Sequence, residues 1–262
     1  MPEQSVVFDR AASFYDNTRG FPPGEDRKVG AFIAQYAGLT SSDQLVEIGI
    51  GTGRIALPVA EHVHQIIGFD LSAGMMQRLQ EKHQTDFAGV RVFPVMGDVM
   101  QLPAASNTFD AALIVHILHL IPHPDQAVNE LARVLRPGGR ALQCWNDRDG
   151  SVFQPLQDAW NGAVDSPKVA QERHRENQNV LNEMGWNLSG EHVYHYSVHE
   201  SPAAQVNSYR SRSWSALWTL PDEVLRAGVE ALEAALQANY PEPEQPVAIP
   251  CTFHVKIYTP PA

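Results

Sequence analysis

Between residues 44 and 145, short apolar runs alternate with amphipathic stretches. Five runs read as buried strands: Gln44–Gly49, Gln65–Asp70, Val90–Val95, Asp110–Val115 and Arg140–Trp145. Runs this short, bounded by Gly, Pro or polar residues, suit strands covered on both faces. Between them, Ser72 can cap a helix that buries Met75, Met76 and Leu79. A second helix over Asp125–Leu135 sets Val128, Leu131 and Leu135 on one stripe and stops at Pro137-Gly138-Gly139. Parallel strands need crossovers, so this alternation predicts an α/β fold built on a doubly wound parallel sheet.

After Trp145 the rhythm changes. Residues 151–184 are expected to be mostly helical. Glu191–Val198 alternates His, Tyr and Val like a strand. A helical stretch from Pro202 to about Tyr209 follows, then a clearer helix over Pro221–Leu236 with Leu225, Val229, Leu232 and Leu236 on one face. Pro241-Glu-Pro-Glu-Gln-Pro246 is a loop. Thr252–Tyr258 alternates cleanly and is expected as the last strand, at or near a sheet edge.

Composition narrows the partners. The 262 residues are 44% hydrophobic and 19% charged, enough apolar surface for a large core. A formal net charge of -11, with no local basic cluster, argues against a nucleic-acid partner. Two cysteines, Cys144 and Cys251, make no disulfide framework and suit a cytosolic setting. The first thirty residues show no apolar run of the signal-peptide kind. The longest apolar stretch, Ala111–Ile121, is interrupted by two histidines and falls short of the roughly 20 residues a membrane span needs. A soluble, cytoplasmic protein is expected.

The chemistry gathers at the carboxyl ends of the strands. The first strand runs into Glu47-Ile-Gly49-Ile-Gly51-Thr-Gly53-Arg54, where glycines let the backbone turn sharply and approach a ligand closely. Arg54 stands where a dinucleotide fingerprint would have Gly or Ala, and no Gly-Lys-Ser/Thr follows as in a phosphate-binding P-loop. Asp70 ends the second strand and can accept both hydroxyls of a ribose. Asp98 follows the third strand and can accept from an exocyclic amine such as that of adenine. Acids after two successive strands beside a glycine loop favour a nucleoside site.

Those residues carry a resemblance. Glu47–Gly53, Asp70, Gly97-Asp98, Phe109-Asp110 and the Leu135-Arg-Pro-Gly-Gly139 turn are similar, in order and spacing, to the motifs of class I S-adenosylmethionine (SAM)-dependent methyltransferases. The flavour is that of the type 11 group acting on small molecules. The resemblance implies one domain over residues 1–262. Its Rossmann-like sheet would have seven strands, mostly parallel with an antiparallel late strand. An N-terminal helical segment (1–40) would cover the cofactor, a SAM-binding core would span 44–145, a largely helical cap 146–238 and a closing strand 250–258. It also implies site roles: Gly49, Gly51 and Gly53 under the methionine moiety, Glu47 beside them, Asp70 with Leu71 at the ribose, and Asp98 with Val99 at the adenine. Tyr15 and Arg19 would reach the methionine tail, Arg19 pairing with its carboxylate. Arg54 is left between a contact to that carboxylate and a solvated position.

For the acceptor, strand ends of such a sheet face the ligand crevice. His116, after the fourth strand, is the candidate base or acceptor contact, with His119 second. Trp145 and Trp214 are candidates for the acceptor pocket. No carboxylate or cysteine stands close enough to the His-x-x-His pair to make a metal site. Two rival readings stay open: a non-catalytic SAM-binding sensor or subunit, and a nicotinamide-dependent oxidoreductase.

Overall fold

The computed structural model describes residues 8–164 and 179–261. In chain order the elements are α1 (Tyr15–Arg19), α2 (Glu25–Ala37), β1 (Gln44–Ile48), α3 (Ala56–Val59), β2 (Gln65–Asp70), α4 (Ala73–Thr85), β3 (Val92–Met96), β4 (Phe109–Val115), α5 (Pro124–Val134) and β5 (Leu135–Arg148). There follow α6 (Gln154–Ala163), α7 (Val180–Glu183), β6 (Asn187–Glu200), α8 (Pro202–Arg210), α9 (Asp222–Asn239) and β7 (Val247–Thr259). The strands form one seven-stranded sheet in the order β3-β2-β1-β4-β5-β7-β6. β1 pairs in parallel with both β2 and β4, β2 with β3, and β4 with β5. β7 is antiparallel: Trp145 stacks on His254 while the Asp149 N–H bonds the Pro250 carbonyl, so numbering rises on one strand as it falls on the other. Among the described residues no helix is long and apolar enough to cross a membrane.

Local signals explain the elements. The Ser72 hydroxyl accepts the Met75 N–H and caps α4, which buries Met75, Met76 and Leu79. Pro124 opens α5, where its missing N–H costs nothing, and Ala127, Val128, Leu131 and Val134 form the buried stripe. β3 carries Pro94, tolerable because β3 lies at the sheet's edge, where its missing N–H leaves no ladder partner unmet. One expectation shifts. The Pro-Gly-Gly turn is drawn into β5, which begins at Leu135 and pairs it with Phe109 across an irregularity in the ladder. The closing strand β7 lies near the sheet edge as expected, with β6 alone outside it. Burial says why: Ile249, Cys251, Phe253, Val255 and Ile257 are buried at alternate positions along β7. Every residue of β6 keeps at least part of its surface open to solvent.

The described chain divides into two compact units. The first holds residues 8–146, 179–194 and 253–261, and the second holds 147–164 and 195–252. The first unit's core joins Val46, Ile48, Phe69, Ile114, Val128 and Leu131 to Leu181, Trp186 and Tyr258. The expected cap therefore gives part of itself away: Val180, Leu181 and Trp186 are apolar, and they pack with the sheet's own core. Within 151–184, residues 165–178 lie outside the described residues. The second unit has its own core of Phe153, Leu156, Trp160, Val206, Leu217, Leu232 and Ile249.

In that second core, Gly228 of α9 is packed so tightly that a Cβ there would stand 2.4 Å from the Trp160 ring and 2.6 Å from a Val164 methyl. Gly to Ala inside a helix ordinarily gains up to about 1 kcal/mol. Overpacking a filled core typically costs about 1–3 kcal/mol. Gly228→Ala is therefore expected to lower the stability of the folded protein, read as a lower midpoint in urea unfolding. An unchanged or raised midpoint would mean that α6 and α9 have room to part.

Candidate active site

The site is built where β1, β2, β4 and β5 end, all within the first unit. The glycine loop after β1 runs with Gly49 at φ 69°, Gly51 at 54° and Gly53 at 70°, the left-handed region that side chains disfavour. Space also excludes side chains. A Cβ on Gly49 would meet Ile117 at 2.6 Å, and one on Gly53 would meet Leu79 at 2.9 Å. The loop is drawn against the sheet by Gly49 and Ile50, whose N–H groups both bond the Phe69 carbonyl of β2.

Asp70 ties this loop to the next element. Its Oδ2 accepts the Gly51 N–H at 2.8 Å and its Oδ1 accepts the Ser72 N–H at 2.8 Å. The carboxylate keeps acceptor capacity for a ligand hydroxyl. Burial pushes the Asp70 carboxyl above its ordinary value, and the N–H bonds from Ser72, Gly51 and Leu71 oppose that rise. Leu71, next in line, is exposed, so an apolar side chain stands in solvent beside the acid. Asp98 is separate from this cluster. Its Oδ1 accepts the Met100 N–H at 2.9 Å, which closes the turn after β3, and Val99 beside it is buried.

Glu47 occupies the last turn of β1 inside the site. Its side chain is buried and Oε2 has no hydrogen-bond partner. Burial drives its carboxyl well above the usual carboxylate range, the nearby Arg54 guanidinium pulls it down, and Asp70 pushes it up again. Burial thus favours the uncharged form of this acid beside the glycine loop.

The N-terminal segment is fastened here by two residues that sequence reasoning did not single out. Asp9 accepts the Ser72 hydroxyl at 2.6 Å and the Gly74 N–H at 3.0 Å, and these bonds hold its carboxyl below the ordinary value. Asp16 of α1 accepts the Thr52 hydroxyl at 2.6 Å and pairs with Lys82 of α4 at 2.9 Å. Tyr15 and Arg19 sit on the same short helix as Asp16, half-buried, with Phe8 packed edge-on to Tyr15.

At the other side of the loop, His116 ends β4 with φ at 49°, which turns its ring toward β5. The Asn146 N–H donates to His116 Nε2 at 2.8 Å, and Asn146 Oδ1 lies 2.9 Å from the same nitrogen. A backbone N–H can only donate, so Nε2 accepts it when unprotonated, and Oδ1 stands ready when it carries a proton. Arg54 Nη1 donates to the same Oδ1 at 3.3 Å, and its guanidinium lies over the Phe21 ring. His119 is half-buried in a tight turn spanning Leu118–Leu120. Trp145, expected at the crevice, is buried and stacks face to face on His254 of β7 at 4.6 Å, with Lys256 also over its ring. Trp214 belongs to the second unit, where its Nε1–H bonds the Ser208 hydroxyl and its ring packs on that unit's core. Among the described residues no three His, Cys, Asp or Glu side chains are grouped to hold a metal ion.

The arrangement offers acceptor oxygens at the β2 and β3 ends, a glycine-rich loop between them and β4, and a cation beyond. Residues 46–142 match the methyltransferase domain family, and over that stretch the chain is similar to class I SAM-dependent methyltransferases. Over 136 residues the chain is 29% identical to a 2-phytyl-1,4-naphtoquinone methyltransferase of Synechocystis, covering 50% of this chain and 57% of that one. It is likewise 29% identical over 142 residues to a demethylmenaquinone methyltransferase of Renibacterium salmoninarum, covering 53% and 57%. The chain thus spans little more than half the length of these curated relatives. Among solved structures, a protein assigned as a type II methyltransferase from Anaeromyxobacter dehalogenans has the same fold at TM-score 0.65 and 16% identity, over 91% of this chain and 96% of that one. A phosphoethanolamine N-methyltransferase of Haemonchus contortus, solved with S-adenosylhomocysteine, shares the fold at TM-score 0.53 and 16% identity, over 97% of this chain and 58% of its own.

Glu47 gives this site a pH signature. Its folded value lies above the ordinary 4.5, so its contribution to stability is whole below that pH and drains away as pH rises through the raised value. In the ligand-free protein, Glu47→Gln should therefore gain on the native chain as pH rises above 4.5, and not below it. Chemical unfolding of both at several pH values measures this; parallel curves would show that Glu47 is ionised in the folded state.

Proposed function

We propose that the chain transfers the sulfonium methyl group of SAM to a small-molecule acceptor and releases S-adenosylhomocysteine. The observation that carries this reading is the tie between Asp70 and the Gly51 N–H, which sets a partly buried carboxylate beside a loop whose three glycines carry no side chains. A ribose needs such a carboxylate, and the methionine moiety needs such a loop. The orphan Oε2 of Glu47 supports the same fit, since a buried oxygen without a donor suits the ammonium of the methionine tail.

In this reading Asp70 takes the ribose hydroxyls with Leu71 against the sugar, Asp98 takes the adenine amine with Val99 at its edge, and Gly49, Gly51 and Gly53 let the methionine chain lie on the loop. Tyr15 and Arg19 approach its tail, and the Asp16 bonds to Thr52 and Lys82 hold their helix in place. When bound, the cofactor supplies an electrophilic methyl on sulfur. The protein's share is to hold the acceptor's lone pair in line with the C–S bond, about 3–3.5 Å from the carbon. A bond forms from that lone pair to the methyl, and the C–S pair stays on sulfur. If the acceptor arrives protonated, its proton needs a base, and His116 is the candidate nearest the loop. His119 remains a candidate for shaping the pocket, whereas Trp145 is taken up by the stack on His254 and Trp214 packs in the second unit's own core. Relatives named for naphthoquinone-type and menaquinone-type methylation support a small organic acceptor over a macromolecule.

Calorimetry with SAM, S-adenosylhomocysteine and NAD tests the cofactor. Both adenosyl ligands are expected to bind and NAD to stay silent. Asp70→Ala should weaken adenosyl binding by about 1–3 kcal/mol, since hydroxyl bonds to a charged acceptor are lost; unchanged affinity would remove Asp70 from the site. Asp98→Ala should cost less and narrow the preference for adenosyl over inosyl ligands. A preference that does not move would place the adenine elsewhere.

A further inference from the structure

The polar groups at the strand ends fall into two sets. Asp70 and Asp98 follow β2 and β3, on one side of the glycine loop, and His116 and Asn146 follow or end β4 and β5, on the other. Arg54 leaves the loop toward the second set. Its guanidinium is partly buried, lies 5.0 Å from the Phe21 ring centre, and spends one N–H on a long 3.3 Å bond to Asn146 Oδ1. Among the described residues no carboxylate comes within ion-pair distance of it, and the bond to Asn146 uses one of its five donors. Glu47, a buried carboxyl that feels its field, makes no ion pair with it, and burial pushes that carboxyl above its ordinary value. A positive charge drawn out of water with an uncommitted donor fork is costly unless something anionic completes it. In a chain of net charge -11, built with abundant carboxylates elsewhere, the missing partner is conspicuous.

We propose that Arg54 recognises the acceptor: its guanidinium, steadied by Asn146 and Phe21, takes a small molecule bearing an anionic oxygen, a carboxylate or an ionised hydroxyl. The proposal rests on the methyl-transfer reading and adds the acceptor's charge to it. Topology favours the acceptor over the cofactor as the source of that oxygen. The nucleoside acids lie toward β2 and β3, the methionine loop lies at β1, and Arg54 reaches away from both to the β4–β5 side. A guanidinium there orients a carboxylate through two parallel N–H bonds, which an ammonium cannot reproduce.

The probes are matched pairs of carboxylates and their primary amides: benzoate and benzamide, phenylacetate and phenylacetamide, 2-naphthoate and 2-naphthamide. Each is titrated into protein saturated with S-adenosylhomocysteine. At least one carboxylate is expected to bind about tenfold or more tightly than its amide. Arg54→Gln should erase that preference and leave affinity for S-adenosylhomocysteine unchanged. Arg54→Lys keeps the charge without the fork and should retain part of the preference; it also carries the test if the Gln variant does not fold. Equal binding of every carboxylate and its amide by the native protein would overturn the proposal. So would a tenfold loss of S-adenosylhomocysteine affinity in Arg54→Gln with normal binding of 5′-methylthioadenosine, which lacks the carboxylate, because Arg54 would then read the cofactor. Failure of the native protein to bind S-adenosylhomocysteine at all would strike the methyl-transfer reading instead, and the carboxylate–amide comparison without it would still decide the role of Arg54.

Discussion

One carboxylate holds this site together. Asp70 bonds the glycine loop through Gly51 and the start of α4 through Ser72, so two segments that the sheet alone would leave adjacent become one surface. Ser72 then passes the linkage on, accepting the Met75 N–H and donating to Asp9. The chain from loop to acid to helix cap to N-terminal segment is made of bonds between 2.6 and 3.2 Å. Hydrogen bonds to ionised groups in a site of reduced dielectric are stronger than neutral ones in water, so each member stiffens the next. Moving Asp70 would loosen the loop, the cap and the covering segment together.

The charges around that acid are unevenly settled. Asp9 and Asp16 sit where donors satisfy them, one held by a hydroxyl and an N–H, the other by a hydroxyl and Lys82. Glu47 and Arg54 are not settled in this way. A buried acid whose charged form burial disfavours, and a cation without an ion pair among the described residues, stand close enough to influence each other without joining. Functional sites commonly keep such groups out of their most stable pairing, because a ligand can then complete them.

The sheet and its glycine loop were legible in the sequence because strand periodicity, short length and glycine clustering are local signals. β2 was read at its true limits, and β1 to within one residue. Asp70 and Asp98 were legible for the same reason, each following a readable strand. What escaped was tertiary. The partners of Asp9 are Ser72 and Gly74, more than sixty positions along the chain, and nothing near Asp9 announces them. Asn146 reaches His116 only because β5 lies beside β4, and the turn of His116 to positive φ leaves no mark in composition. Trp145 alternates outward from its neighbour Asn146, so a one-residue difference along β5 separates the site from the stack on His254.

The strand that closes the sheet also sets an order of events. Tyr258 and Phe253 are fully buried, and Tyr258 completes a core whose other members reach back to Val46. During synthesis the glycine loop, Asp70, Asp98 and five parallel strands emerge long before these residues exist. Until β7 slides in between β5 and β6, the nascent first unit displays the apolar surface that Tyr258 will cover and two long unpaired strand edges, the kind of surface that chaperones bind. Every newly made molecule therefore passes through a stage in which its binding loop is already written and its core is still open, and the last strand is what turns that stage into a protein.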